Sequence, residues 1–161
     1  MQVQSGKMTN KVECTENWRA KVAPLPGLER LLHKGTVDFI ILNSSIGSLC
    51  GAVGQMDNTV ANIMLDTWAC RIQACTPAKI RSIRWDVWRE VGMINKMADL
   101  HERLAGEKLK GGITPKEAMQ ALDVCLAGFA GLPAVCGRNL GAMLEETREK
   151  RGFAADALEM A

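Results

Sequence analysis

The chain reads as all-α: an antiparallel hairpin of two long helices, then a kinked C-terminal helical pair, packed as a bundle. Three observations predict this. Apolar residues recur at steps of three and four through Ile46, Leu49, Val53, Met56, Val60 and Ile63. A second row runs Ile80, Ile83, Val87, Val91, Ile94, Met97, Leu100 and Leu104. Such steps hold side chains on one helical face, so each row is a seam that demands a partner. Aromatics are scarce, with four Trp, three Phe and no Tyr, and a core of aliphatic residues and Met suits helix-on-helix packing.

Residues 1–35 read as an N-terminal arm, partly irregular, because a polar stretch gives way to Pro24, Pro26 and Gly27. A short helix around Glu16–Val22 and a turn or two from Leu28 to His33 fit within it. Residues 36–161 form the single helical domain. Thr36–Leu42 is rich in β-branched residues and could be a strand; with no second convincing strand to pair with it, the start of a helix is preferred. The first long helix runs from about Asn43 to Cys75. Gly47, Gly51 and Gly54 weaken it by roughly 1 kcal/mol each, which leaves a break near Gly54 open, with a restart capped by Asp57 or Asn58.

Thr76-Pro77 pairs a good N-cap with a favoured first helical residue, so it starts the second long helix, which Lys110-Gly111-Gly112 stops. Thr114-Pro115-Lys116-Glu117 repeats the signal with a capping box and opens a third helix to about Phe129. Gly131-Leu132-Pro133 kinks the chain into a fourth helix ending near Lys150, and Gly152 sets off a short one from Phe153 to Met160.

Composition excludes several functions. A net charge of +2 gives no broad basic field for nucleic acid. The six cysteines form no C-x-x-C pair, and only His33 and His101 could join them, so no metal is expected. They read as small buried apolar residues in a reducing cytoplasm. The start lacks the apolar core of a signal peptide, and residues 39–54 are short and polar for a membrane span, so neither secretion nor a membrane is expected. Neither G-x-G-x-x-G nor the Walker pattern occurs, which leaves ATP and NAD without support, and no cofactor is expected. His101, with Glu102 and Arg103, lacks a nucleophile or second acid. No catalytic residue is assigned, and the chain reads as non-enzymatic.

The candidate binding residues are Arg81, Trp85 and Arg89, at i, i+4 and i+8 on the second helix, beside the parallel pair Arg84 and Trp88. Guanidinium over indole is worth about 0.5–1 kcal/mol when exposed, and both residue types are enriched at interface hot spots. A helix buried on two sides would account for the same residues. Two long seams plus this face predict a homo-oligomer with a larger protein partner. The alternative is a nucleic-acid-binding regulator that holds duplex DNA on Lys79, Arg81, Arg84, Arg89 and Lys96.

Residues 94–150 carry Ala98-Asp99, Lys110-Gly111-Gly112-Ile113, Thr114 to Glu117, Leu122, Leu126, Leu132-Pro133 and Leu140. In this order they resemble the C-terminal helical region of lambda-type phage small terminase subunits. The winged helix-turn-helix that begins such subunits is not found in residues 1–55. What the resemblance implies is a non-catalytic DNA-packaging subunit that self-assembles, binds a large ATPase-nuclease and helps to select viral DNA.

Overall fold

The computed structural model describes residues 16–51, 55–91, 102, 106, 111–128 and 131–159, with side chains as far as residue 149. It overturns the all-α expectation. The apolar run Phe39-Ile40-Ile41-Leu42 is extended and forms β1 (Phe39–Ser45), and its partner is β2 (Lys79–Trp85). The two are parallel, with Phe39 opposite Lys79 and Ser45 opposite Trp85. A parallel partner needs a long crossover, so no second strand appears near the first in sequence. A short β3 (Ala134–Val135) continues the sheet in the order β1-β2-β3.

The Asp38 carbonyl accepts from Lys79 N, and Ile46 N donates to the Trp85 carbonyl, so the even-numbered residues of β1 face β2. Phe39, Ile41, Asn43 and Ser45 therefore turn their backbone groups to the open edge of the sheet.

Helices cover one face. The chain enters through a π-helical turn at Trp18–Val22 and then α1 (Leu25–His33). After β1 comes a single turn, α2 (Gly47–Cys50), ended by Gly51 at φ 71°, a left-handed conformation that glycine adopts without strain. The crossover helix α3 (Met56–Gln73) follows. Ala61, Leu65, Trp68, Ala69 and Ile72 of α3 pack on Ile40, Leu42 and Ile80 of the sheet, with Val22, Leu25 and Leu32 closing the core.

The first predicted seam is not the buried one. Met56, Val60 and Ile63 are 74%, 47% and 43% exposed, because α3 turns the stripe beginning at Ala61 inward. The second seam fails for another reason. Ile80 and Ile83, three apart, point to opposite faces of a strand, and both are buried because β2 lies between two neighbours. Val91 is exposed, and the seam's positions from Ile94 to Leu104 lie outside the described residues.

Beyond β2, Trp88 bridges Ile113 in parallel, with Ile113 N donating to the Val87 carbonyl and Arg89 N to that of Ile113. Gly112 then passes against Gly137 so closely that a Cβ on Gly137 would stand 2.2 Å from the Gly112 carbonyl oxygen. The capping box forms as its residues predict. Thr114 Oγ1 accepts from Glu117 N at 3.2 Å and Thr114 N donates to Glu117 Oε2 at 2.7 Å, starting α4 (Pro115–Ala127). Those bonds hold the Glu117 carboxyl below its usual range.

Of the kinked pair, the third helix forms as α4, whereas the fourth gives way to β3 and a later helix, α5 (Leu140–Glu159), which runs through Gly152. Of the five described cysteines only Cys125 is buried; Cys70 and Cys75 are exposed, which corrects their reading as core residues. Among the described residues no helix is long and apolar enough to cross a membrane.

Candidate functional site at the carboxyl ends of the strands

In open parallel sheets, ligands collect where the strands end in carbonyls. β1 ends in Ser44-Ser45, two hydroxyls after an apolar run. Ser44 is buried on the α3 side, and its Oγ lies 3.5 Å from the Asn62 carbonyl, tying β1 to α3. Ser45 is half-buried. Its Oγ accepts from Gly47 N at 3.1 Å, which leaves the hydroxyl proton free to be donated.

Lys21 reaches the same end of β1. It stands on the π-helical turn, which packs on α3, and the Asn17 side chain meets Asp57 of α3 one turn earlier. Its Nζ donates to the Asn43 carbonyl at 3.0 Å, a carbonyl facing the open edge. Burial holds the ammonium below the ordinary lysine range, with the charge of Asp66 pulling the other way. The Asn43 side chain accepts from Trp85 Nε1 at 3.0 Å, so one asparagine is gripped from both sides. Asn62 is fully buried, and its Nδ2 donates to the carbonyl and Oδ1 of Asn58 at 2.8 and 3.1 Å.

A second polar cluster lies behind this end of the sheet. The Asp66 carboxylate of α3 accepts from Ser82 Oγ at 2.7 Å, Ser48 Oγ at 2.8 Å and Arg84 Nε at 2.7 Å. Arg84 also donates to the Leu132 carbonyl at 3.3 Å. The pair floors a cleft of about 300 Å³ walled by Ile63, Thr67, Cys70 and Leu132. At the end of β2, buried Asp86 accepts from Val87 N at 2.8 Å and Gly137 N at 3.0 Å, fastening β2 to the turn after β3. Burial pushes the neighbouring Cys136 thiol up, aided by Asp86 and Cys50.

The five residues singled out from the sequence do not share a helix face, since Arg81, Arg84 and Trp85 belong to β2. Arg81 donates to the Ile80 carbonyl at 3.0 Å, on the opposite face from Arg84, which is spent on Asp66. Trp85 and Trp88 stack edge to face with centroids 5.6 Å apart, and Arg89 pairs loosely with Glu117 at 3.4 Å. Arg84 and Trp85 lie opposite Ser44 and Ser45 in the ladder, and of the five side chains that of Trp85 is hydrogen-bonded to β1, through Asn43. Lys21, Asn43 and Ser45 were passed over. Their signal was a strand ending in polar residues immediately before a glycine turn, which becomes visible once residues 39–45 are taken as extended.

Comparison with known proteins places this arrangement. The chain is 31% identical over 124 residues to the polyketide synthase PksN of Bacillus subtilis, 73% of this chain but 2% of that protein. It is 34% identical over 73 residues to the mellein synthase of Phaeosphaeria nodorum, 45% of this chain and 4% of the relative. Among solved structures, A-type ketoreductases from a modular polyketide synthase superpose with a TM-score of 0.67 at 26% identity, over 80% of this chain and 26% of theirs. PlmKR1, the ketoreductase of the first phoslactomycin module of Streptomyces sp. HK803, gives 0.67 at 27%, over 86% and 31%. The chain thus spans a small part of each of these proteins.

These findings overturn the terminase resemblance, the non-enzymatic adaptor and the DNA-binding alternative; the last also placed Lys79, Arg81 and Arg84 on a helix where β2 stands. The family model for the KR domain matches residues 2–90, more than half of the sequence and the whole of β1, α3 and β2, and the chain belongs to that family.

Proposed function

We propose that this chain supplies the carbonyl-binding side of a ketoreductase acting on polyketide chains, with its setting in the cytoplasm. The observation that carries the reading is that the carboxyl end of β1 holds two donors, the Ser45 hydroxyl, which accepts from Gly47 N, and the Lys21 ammonium, which donates to the Asn43 carbonyl on the open edge. A ketone oxygen placed there accepts from both, and donors aimed at an oxygen that gains charge favour the transition state over the ketone.

Ketoreduction implies a reduced nicotinamide dinucleotide, and the described residues do not fit its pyrophosphate. The turn after β1 is lined by hydroxyls, with Ser45 Oγ and Thr59 Oγ1 at 3.4 and 3.9 Å from where a side chain on Gly47 would begin, and by no basic group among the described contacts of Gly47. β2 ends in the carboxylate of Asp86, which repels phosphate, and the turn after β3 is packed on Gly112. G-x-G-x-x-G is absent from the sequence.

The test is to incubate the chain with a β-ketoacyl thioester and either NADPH or reduced nicotinamide mononucleotide, and to assay the β-hydroxyacyl product by mass spectrometry. Product is expected with both, and equally, because among the described residues nothing grips the adenosine half. No product from either sinks the reading; a marked preference for the dinucleotide would reveal a phosphate cradle these residues do not form.

A further inference from the structure

A helix that covers a sheet ordinarily turns a polar face to water. The outward face of α3 does not. Met56, Val60, Ile63, Thr67, Cys70 and the cap residue Ala74 are all exposed, and none is charged. They follow at steps of four, three, four, three and four, the 3.5-residue spacing of a coiled-coil seam. Thr67 fits the row because its hydroxyl is spent on the Ile63 carbonyl at 2.8 Å, which leaves its methyl group as the free part of the side chain. The stripe from Ala61 to Ile72 already packs on the sheet, so the core of one molecule has no use for this second seam.

Size is graded along the row. The large side chains Met56, Val60 and Ile63 occupy its amino-terminal half, and the small ones Thr67, Cys70 and Ala74 its carboxyl-terminal half. The surface that matches such a gradient is the same row running the other way. Antiparallel pairing about a two-fold axis between Ile63 and Thr67 sets Met56 against Ala74 of the other copy, Val60 against Cys70 and Ile63 against Thr67. Every layer then holds a large residue on a small one. A parallel pair would set Met56 on Met56 and Ala74 on Ala74, crowding one end and leaving a gap at the other.

Charge follows the same two-fold. The positions beside the seam on one flank are Asp57, Met64 and Arg71, spaced by sevens. In an antiparallel pair this flank meets itself, so each Asp57 faces the Arg71 of the other copy and the two Met64 side chains meet at the axis. Asp57 is engaged by Asn17 and Arg71 by Glu29 at 3.0 Å, yet the carboxylate keeps free lone pairs and the guanidinium free N–H groups. The Arg71 side chain is 61% exposed and within reach of a second carboxylate.

We propose that two copies of this chain join through their α3 helices, antiparallel and in this register. The contact is the same patch on both sides, so it closes at two copies. Each chain folds around its inward stripe before it pairs, so losses along the seam appear in association and leave the unfolding of the dilute monomer unchanged.

Cross-linking of the full chain tests the register. Val60→Cys places a thiol opposite the native Cys70 of the other copy, whereas along one helix the two positions stand about 15 Å apart and cannot bond. Mild oxidation should give a covalent dimer whose digest contains a peptide joining positions 60 and 70, and Cys70→Ser should abolish that link. Sedimentation at rising concentration should show the wild-type chain passing from one copy to two. Ile63→Lys, at an exposed position, should keep the fold by circular dichroism and weaken pairing about tenfold or more. Arg71→Glu should weaken it too, and Asp57→Lys added to it should strengthen it again. The proposal is overturned by a chain that stays single at every concentration, by links of 60 to 60 or 70 to 70, by pairing indifferent to Ile63→Lys, or by a double charge reversal that pairs no better than Arg71→Glu alone.

Discussion

Asp66 ties several elements together through a single carboxylate. It lies on α3, yet its three bonds reach the turn after β1, the middle of β2 and, through Arg84, the carbonyl before β3. The ion pair is largely out of water, with side chains 6% and 17% exposed. Such a pair adds little against an apolar substitute, but removing one partner strands the other in a low-dielectric setting. Asp66→Ala should therefore cost about 3–5 kcal/mol in urea unfolding, a large part of the stability of a domain this size. A loss below about 1 kcal/mol would mean that Arg84 finds water or another acceptor. Asp66 could not be chosen from the sequence, where it is a lone acid among apolar helix neighbours.

At the scale of elements, the instructive one is α3. Two stripes run along it, and only one faces the sheet: Ala61, Leu65, Trp68, Ala69 and Ile72. The inward stripe also keeps helical spacing, but the outward Met56, Val60 and Ile63 continue the steps begun at Ile46, so periodicity alone favoured the wrong face. Two substitutions separate the stripes. Leu65→Ala should lose about 2–5 kcal/mol, because a buried side chain leaves a cavity, whereas Val60→Ala should stay within about 0.5 kcal/mol. Equal losses, measured by chemical denaturation, would mean that the Val60 side is covered as well. The capping box before α4 was fully legible, because its signal is local: a hydroxyl, a proline and a glutamate at fixed offsets. The strands were not. β1 announces itself by its β-branched run, but its partner is interrupted by Arg81, Ser82 and Arg84, and the bonds that make Ser82 and Arg84 tolerable inside come from a helix.

Across the molecule, the same distinction decides what sequence reading recovered. The Thr114 cap depends on neighbours along the chain and was found, whereas Thr76-Pro77, read as another helix start, leads into β2; the sheet depends on pairing across a crossover and was missed, and the site went with it. Lys21, Asn43, Ser45 and Trp85 come from three elements, the π-helical turn, β1 and β2, and parallel alignment of β1 with β2 is what brings Trp85 to Asn43. That assembly has a practical use. The Trp85 indole is bonded to the side chain of Asn43, the residue whose main-chain carbonyl holds Lys21, while Trp88 stands edge-on to the same ring. The protein thus carries its own optical gauge: a thioester entering at Lys21 should shift tryptophan emission, and Trp85→Phe should silence that shift although Trp18, Trp68 and Trp88 still glow. Titrating fluorescence against thioester would then count occupied molecules without any turnover being needed.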